Sequence, residues 1–235
     1  MQLFYNSEIN STTTQFVFDK IESRHIVKVL RKSEGDILYI TNGNGQLFTA
    51  EIILANDKKC NVTILETIQK PKRWDYYLHV AIAPTKNNDR LEWFLEKATE
   101  IGVDEITPII CKHSERKVVK EERLEKVLVS AMKQSLKFQL PKLNPTTSFT
   151  DFIDQEIDGD LCIAHCEETD KKSFKKELRS KQKITILIGP EGDFSTKEIE
   201  QALYKKFIPV TLGESRLRTE TAGIVAVQSV AFFNE

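Results

Sequence analysis

Ile184-Thr185-Ile186-Leu187-Ile188-Gly189-Pro190-Glu191-Gly192-Asp193-Phe194-Ser195-Thr196-Lys197-Glu198 is the stretch whose reading decides the fold. Its first five residues are continuously apolar but for Thr185, as expected of a strand buried on both faces of a parallel sheet. Ser195 and Glu198 have the spacing of a capping box, in which each side chain satisfies a free backbone N–H of the other's turn, so a helix opens there. The loop between lies at the carboxyl end of a central strand, where open α/β sheets bind ligands. Gly189 and Gly192 let the backbone come close to a ligand, and Pro190 stiffens it. Alone, the loop reads equally well as a plain turn.

Downstream, Pro209–Leu212 reads as a short strand. Gly213–Leu217 is the loop after it, and a helix runs from about Thr219 to Phe233. Arg218 stands at the helix N-terminus, where the macrodipole disfavours a cation. Either it holds a carboxylate or phosphate, or Glu220 is its structural partner. Ile224, Val225, Val227, Val230 and Phe232 lie on different faces of the helix, which must be covered on most sides, in the core or against another subunit.

Upstream, strands and helices alternate: Tyr76–Ala83 a strand, Asp89–Ile101 a helix with Leu91, Phe94, Leu95 and Ala98 on one face, and Glu105–Ile110 a strand. Glu121–Phe138 follows as a long helix and Leu161–Cys166 as a buried strand. That alternation implies a mostly parallel sheet covered on both sides. Lys70-Pro71-Lys72-Arg73 is a joint, and before it the pattern is β. Asp36–Thr41 and Gln46–Leu54 flank the hairpin turn Asn42-Gly43-Asn44-Gly45, Asn61–Ile68 is another strand, and Arg24–Arg31 is a short amphipathic helix with Ile26, Val29 and Leu30 on one side. Two domains are expected, residues 1–70 and 73–235.

Lys+Arg 34 against Asp+Glu 35 gives a net charge of −1, so any nucleic-acid contact comes from a local patch. One such patch is Lys112–Lys142, with nine Lys or Arg and four acidic residues. Cys60, Cys111, Cys162 and Cys166 form no C-x-x-C pair, and four scattered histidines make no metal site. Free thiols, no signal peptide and no apolar run of about 20 residues lead to the expectation of a cytoplasmic protein with no membrane span and no metal.

Ile188–Gly192, Leu212-Gly213 and Leu217-Arg218-Thr219-Glu220-Thr221-Ala222 together resemble the RsmE family of ribosomal RNA methyltransferases, within the SPOUT superfamily. Arg24-His25 with Val29-Leu30-Arg31 and Gly35-Asp36 match it too, as do Glu92-Trp93 and Lys97–Val103. The resemblance spans nearly the whole chain in the family's order. It implies a SPOUT-type, mostly parallel α/β sheet with a C-terminal trefoil knot, preceded by a small PUA-like β-barrel that helps hold RNA. It implies S-adenosylmethionine as cofactor, held by Ala164, His165, Gly189, Pro190, Glu191, Gly192, Leu212, Gly213, Leu217, Arg218 and Thr219. The implied reaction is methyl transfer to N3 of one uridine in 16S RNA, on free RNA or the 30S subunit, by a homodimer joined through Ala222–Phe233. Three positions depart from the family: Asp193 replaces its usual second glycine, and Lys133-Gln134-Ser135-Leu136-Lys137 has Lys first where Glu is usual and Lys last where Arg is usual.

The nucleophile must lose the N3 proton, and a fixed cation would stabilise the charge that develops. Arg218 is the candidate cation, with Glu191 or Glu220 to take the proton. Arg24, Arg31, His113, Arg116, Gln134 and Lys137 are the candidate RNA contacts. The alternative is a non-catalytic RNA-binding or ribosome-assembly factor that keeps the fold, and the intact motifs favour the enzyme.

Overall fold

The structure, a computed structural model, describes residues 1–235, which divide into two compact units. Met1–Arg73 with Met132–Leu140 is the first, and Trp74–Ala131 with Pro141–Glu235 the second.

In the first unit, β1 (Leu3–Tyr5), β2 (Gln15–Val17), α1 (Lys20–Arg24), β3 (Ile37–Thr41), β4 (Gln46–Leu54) and β5 (Asn61–Gln69) follow in order. They form one five-stranded sheet, β1-β3-β4-β5-β2, packed around Phe4, Phe18, Ile26, Ile40, Phe48 and Val62. The hairpin from β3 to β4 turns on Gly43 and Gly45, at φ of 75° and 79°, where a side chain would be strained.

Two sequence readings shift here. The expected helix Arg24–Arg31 begins earlier, as α1, and continues as a π-helical turn, His25–Val29. The wider turn rotates the apolar stripe, so Ile26 is buried while Val29 is 66% exposed. The long helix expected to reach Phe138 stops at Gln134, because Leu136 takes a positive φ and the N–H of Lys137 bonds back to the carbonyl of Met132. The segment beyond it belongs to the first unit, not to the second as a single cut near residue 70 implies. Gly45 N–H donates to Phe138 O at 2.7 Å, Leu140 N–H to Gly43 O at 2.8 Å, and Phe138 packs on Leu3 and Leu47.

The second unit runs β6 (Tyr77–Ile82), α2 (Asn88–Ile101), β7 (Glu105–Ile110), α3 (Glu121–Gln134, whose last three residues lie in the first unit), β8 (Lys142–Leu143), β9 (Thr147–Ser148), α4 (Phe149–Ile153), β10 (Asp160–Ala164), β11 (Lys172–Ser173), α5 (Phe174–Glu177), β12 (Lys183–Ile188), α6 (Thr196–Tyr204), β13 (Ile208–Thr211) and α7 (Thr219–Phe233). The sheet order is β11-β13-β10-β12-β6-β7-β8, with β9 also on β7, and every pairing is parallel. Parallel neighbours require crossovers, and the intervening helices cover the faces. Phe149 and Phe152 from α4 and Ile199 and Ala202 from α6 pack with Ala81, Ile163 and Leu187, while α7 lies against β6, β12 and α2.

Adjacent β13, β10 and β12 end level with one another, in the registers Ala164↔Ile188 and Ala164↔Val210. Their three exit loops therefore open side by side.

Candidate active site

Two adjoining cavities lie among these loops. The larger, about 550 Å³, is lined by Ala164–Glu167, Lys171, Asp193, Val210–Leu217 and Ala222. The smaller, about 350 Å³, is lined by Ile188–Glu191, Leu217–Thr219 and Ala222. Ala164, Cys166, Asp193, Arg216, Leu217 and Ala222 belong to both. Both volumes fall within the usual range for small-molecule sites, about 300–1,000 Å³.

The glycine-containing loop is held from several directions. Thr219 Oγ1 donates to Gly189 O at 2.9 Å, tying the first residue of α7 to the end of β12. The Ser195–Glu198 capping box forms, and Glu198 Oε1 also accepts the N–H of Lys112 at 2.8 Å. Glu191 Oε1 accepts the N–H of Lys86 at 2.9 Å, while its buried Oε2 has no partner.

Arg218 is exposed, lines the smaller cavity, and has no ion pair or side-chain hydrogen bond. Its structural alternative, Glu220, instead faces Arg90, with Oε1 3.7 Å from Nε, and its other oxygen is buried without a partner. Glu220 lines neither cavity. His165 is 7% exposed at the wall of the larger cavity, with both ring nitrogens unpartnered. Burial first, and then the nearby Lys171 cation, push its pKa down, so the ring is neutral at pH 7. Buried polar atoms are normally paired, so the three orphaned atoms on His165 and Glu191, both of which line these cavities, mark a place where a polar ligand belongs.

Of the residues implied as cofactor contacts, Ala164, His165, Leu212, Gly213 and Leu217 line the larger cavity. Gly189, Pro190, Glu191, Arg218 and Thr219 line the smaller. Gly192 lines neither: a Cβ there would stand 3.0 Å from that of His113, so its glycine serves packing.

The six candidate RNA contacts divide. Arg24, Arg31 and Gln134 are exposed on the first unit. His113 Nδ1 lies 3.1 Å from the carbonyls of Gly192 and Asp193, which makes it a brace for the loop. Arg116 is spent on the carbonyls of Thr85 and Lys86. Lys137 is 8% exposed, too covered to present its charge at the surface.

Residues that the sequence did not single out also build the site. Lys171 Nζ donates to His165 O at 3.1 Å and Glu167 O at 2.7 Å, and Cys166 and Arg216 stand in both cavities. A cation bonding local carbonyls has no sequence signature. The other three cysteines are buried, and burial pushes the Cys162 thiol up to about 12. No three or more His, Cys, Asp or Glu residues come together to hold a metal, and no helix is long and apolar enough to cross a membrane.

A fully parallel sheet with cavities at the carboxyl ends of its central strands is the arrangement by which α/β proteins bind a small molecule. Residues 72–231 match the family model of the RNA methyltransferase domain, and residues 18–65 that of the RNA methyltransferase PUA domain. The chain belongs to this RNA methyltransferase family and, within it, to the ribosomal RNA small subunit methyltransferases E. The relative of that name from Buchnera aphidicola (subsp. Acyrthosiphon pisum) is 31% identical over 92% of this chain and 87% of its own length. The one from Bacillus subtilis is 26% identical, over 91% and 88%. Among solved structures, a probable rRNA methyltransferase from Porphyromonas gingivalis matches 100% of this chain and 98% of its own at 42% identity and a TM-score of 0.92. A putative methyltransferase from Legionella pneumophila, solved with the bound cofactor SAM, matches 99% and 97% at 26% identity and a TM-score of 0.88.

Proposed function

We propose that this chain transfers a methyl group from S-adenosylmethionine to N3 of a specific uridine in small-subunit ribosomal RNA. The observation that carries this reading is the pair of joined cavities at the ends of β13, β10 and β12, with orphaned polar atoms on His165 and Glu191 and an unpaired Arg218 beside them. The residues fit such a cofactor. The neutral His165 ring offers one donor and one acceptor, and the backbone of Leu212–Leu217 and Gly189–Glu191 offers its own. The Legionella structure, solved with the bound cofactor SAM, supports the same cofactor. The family resemblance supports a knotted path for the chain through these loops.

When bound, the cofactor supplies an electrophilic methyl carbon on a sulfonium. The N3 lone pair forms the new carbon–nitrogen bond as the carbon–sulfur bond breaks and its electrons pass to a neutral thioether. The N3 proton must leave to a base. Of the two carboxylates that line the smaller cavity, Asp193 accepts the N–H of Cys166, so the unpartnered Oε2 of Glu191 is the acceptor we assign; Glu220, turned to Arg90, is a structural group. Negative charge that spreads to the two uracil carbonyl oxygens is stabilised by Arg218, whose backbone is set at the start of α7 beside the smaller cavity. Exposed Arg24, Arg31 and Gln134 on the first unit hold the RNA strand. The apolar sides of α7 left partly open, with Phe232 72% and Phe233 46% exposed, pair with a second copy.

Incubating the chain with unmodified small ribosomal subunits and methyl-labelled S-adenosylmethionine tests the reading. Label should appear on one uridine, and mapping should place it on N3. A calorimetric titration that gives no heat with S-adenosylmethionine would instead favour an RNA-binding or assembly factor without catalysis.

A further inference from the structure

Asp193 has no part in the chemistry above, yet it is the residue that joins two walls of the site. It closes the Gly189–Gly192 loop with φ of 62°, in the left-handed region where glycine rests without strain. A residue with a side chain persists there when an interaction compensates the strain. Here Oδ2 accepts the backbone N–H of Cys166 at 2.7 Å. Cys166 opens the loop that leaves β10, whose other end is held by Lys171 through the carbonyls of His165 and Glu167. Asp193 and Cys166 both line both cavities, and His165, with its two orphaned ring nitrogens, immediately precedes Cys166. One carboxylate oxygen from the loop after β12 thus bonds the wall that carries the unpartnered imidazole.

We propose that Asp193 is a positioning residue: by bonding the N–H of Cys166 it holds the His165–Glu167 wall in place and so sets the affinity of the cavity for the methyl donor. The proposal rests on the cofactor reading given above. A glycine at this position suits the backbone but leaves the N–H of Cys166 without its acceptor, so Asp193 does what a glycine cannot.

Two variants separate bond from charge. Asp193→Gly relieves the backbone and removes the acceptor, whereas Asp193→Asn loses the charge and keeps an acceptor. Calorimetry with S-adenosylmethionine gives the affinity. Alkylation of Cys166 by iodoacetamide, located by mass spectrometry, reports the loop directly, since Cys166 is the one exposed cysteine of the four. Asp193→Gly should bind the donor about tenfold more weakly, as for loss of one charge-assisted hydrogen bond, with no fall in Tm. Asp193→Asn should stay within about threefold of wild type. Cys166 should be alkylated several-fold faster in Asp193→Gly than in Asp193→Asn, which shares the loss of charge. Equal alkylation rates in the two variants, or equal losses of affinity, overturn the positioning role. A wild-type chain that takes up no S-adenosylmethionine overturns the cofactor reading instead, and the two failures appear on different signals.

Discussion

Arg218 and Glu220 are two residues apart and were open to pairing with each other; the structure separates them. Glu220 turns to Arg90, and Arg218 is left exposed beside the smaller cavity. Arg218→Ala should therefore lower methyl transfer to small-subunit RNA by about 100-fold or more, the usual loss for one donor aimed at a developing oxyanion. The calorimetric affinity for S-adenosylmethionine should change little; equal losses of transfer and affinity would make Arg218 a cofactor ligand. At this scale the sequence pointed to several backbone stretches that line the cavities, though Gly192 lines neither. Gly189, Leu212, Gly213 and Leu217 could be named from their spacing and resemblance, and they line the cavities. It was illegible where a long side chain chooses a distant partner. Arg116 and His113 have the composition of an RNA patch, yet they bond loop carbonyls, some of them about 80 residues away in sequence. Lys137 looks like a free cation and is buried.

α7 shows how much one helix carries. Its bounds, Thr219–Phe233, follow from the sequence because an apolar run bounded by polar loops has a single helical reading. Which side meets what does not follow, since every side is apolar. Gly223 answers it: a Cβ there would meet Phe94 of α2 at 2.6 Å and Ile82 of β6 at 3.1 Å, so the helix seats at this point by lacking a side chain. Gly223→Val should cost about 1–3 kcal/mol through overpacking, seen as a lower urea midpoint with an unchanged slope. An unchanged midpoint would mean that Phe94 swings aside without strain. Helix ends were less legible than helix cores. The stop of α3 at Gln134 depends on Leu136 in the left-handed region, which no glycine or asparagine announces.

Alternation of strands and helices foretold a parallel sheet, but not the order β11-β13-β10-β12-β6-β7-β8, because strand order depends on where each crossover lands. One polar cluster on that sheet contributes to the acid stability of the chain. His79, 7% exposed, is pushed down to about 4, mainly by burial. For Glu105, burial pushes the carboxyl up, but bonds from Tyr77, Asn144 and Lys142 outweigh it and leave it at about 2. Between pH 6.5 and 4 the unfolded chain binds a proton at His79 and the folded chain does not. The stability from a neutral buried imidazole is thus complete above pH 6.5 and lost as pH falls toward 4, by at most about 3 kcal/mol. The share of Glu105 is present above pH 4.5 and lost toward pH 2. Urea unfolding from pH 8 to 4 should show the first decline, and a flat profile from pH 7 to 5 would refute it. The return of Met132–Leu140 to the first unit bears on inheritance. A gene fragment coding for residues 1–73 leaves Leu3 and Leu47 without Phe138, and Gly45 without its carbonyl partner. A piece of the amino-terminal unit's core is thus encoded in the middle of its neighbour, and a gene cut near residue 73 divides that core rather than releasing it whole.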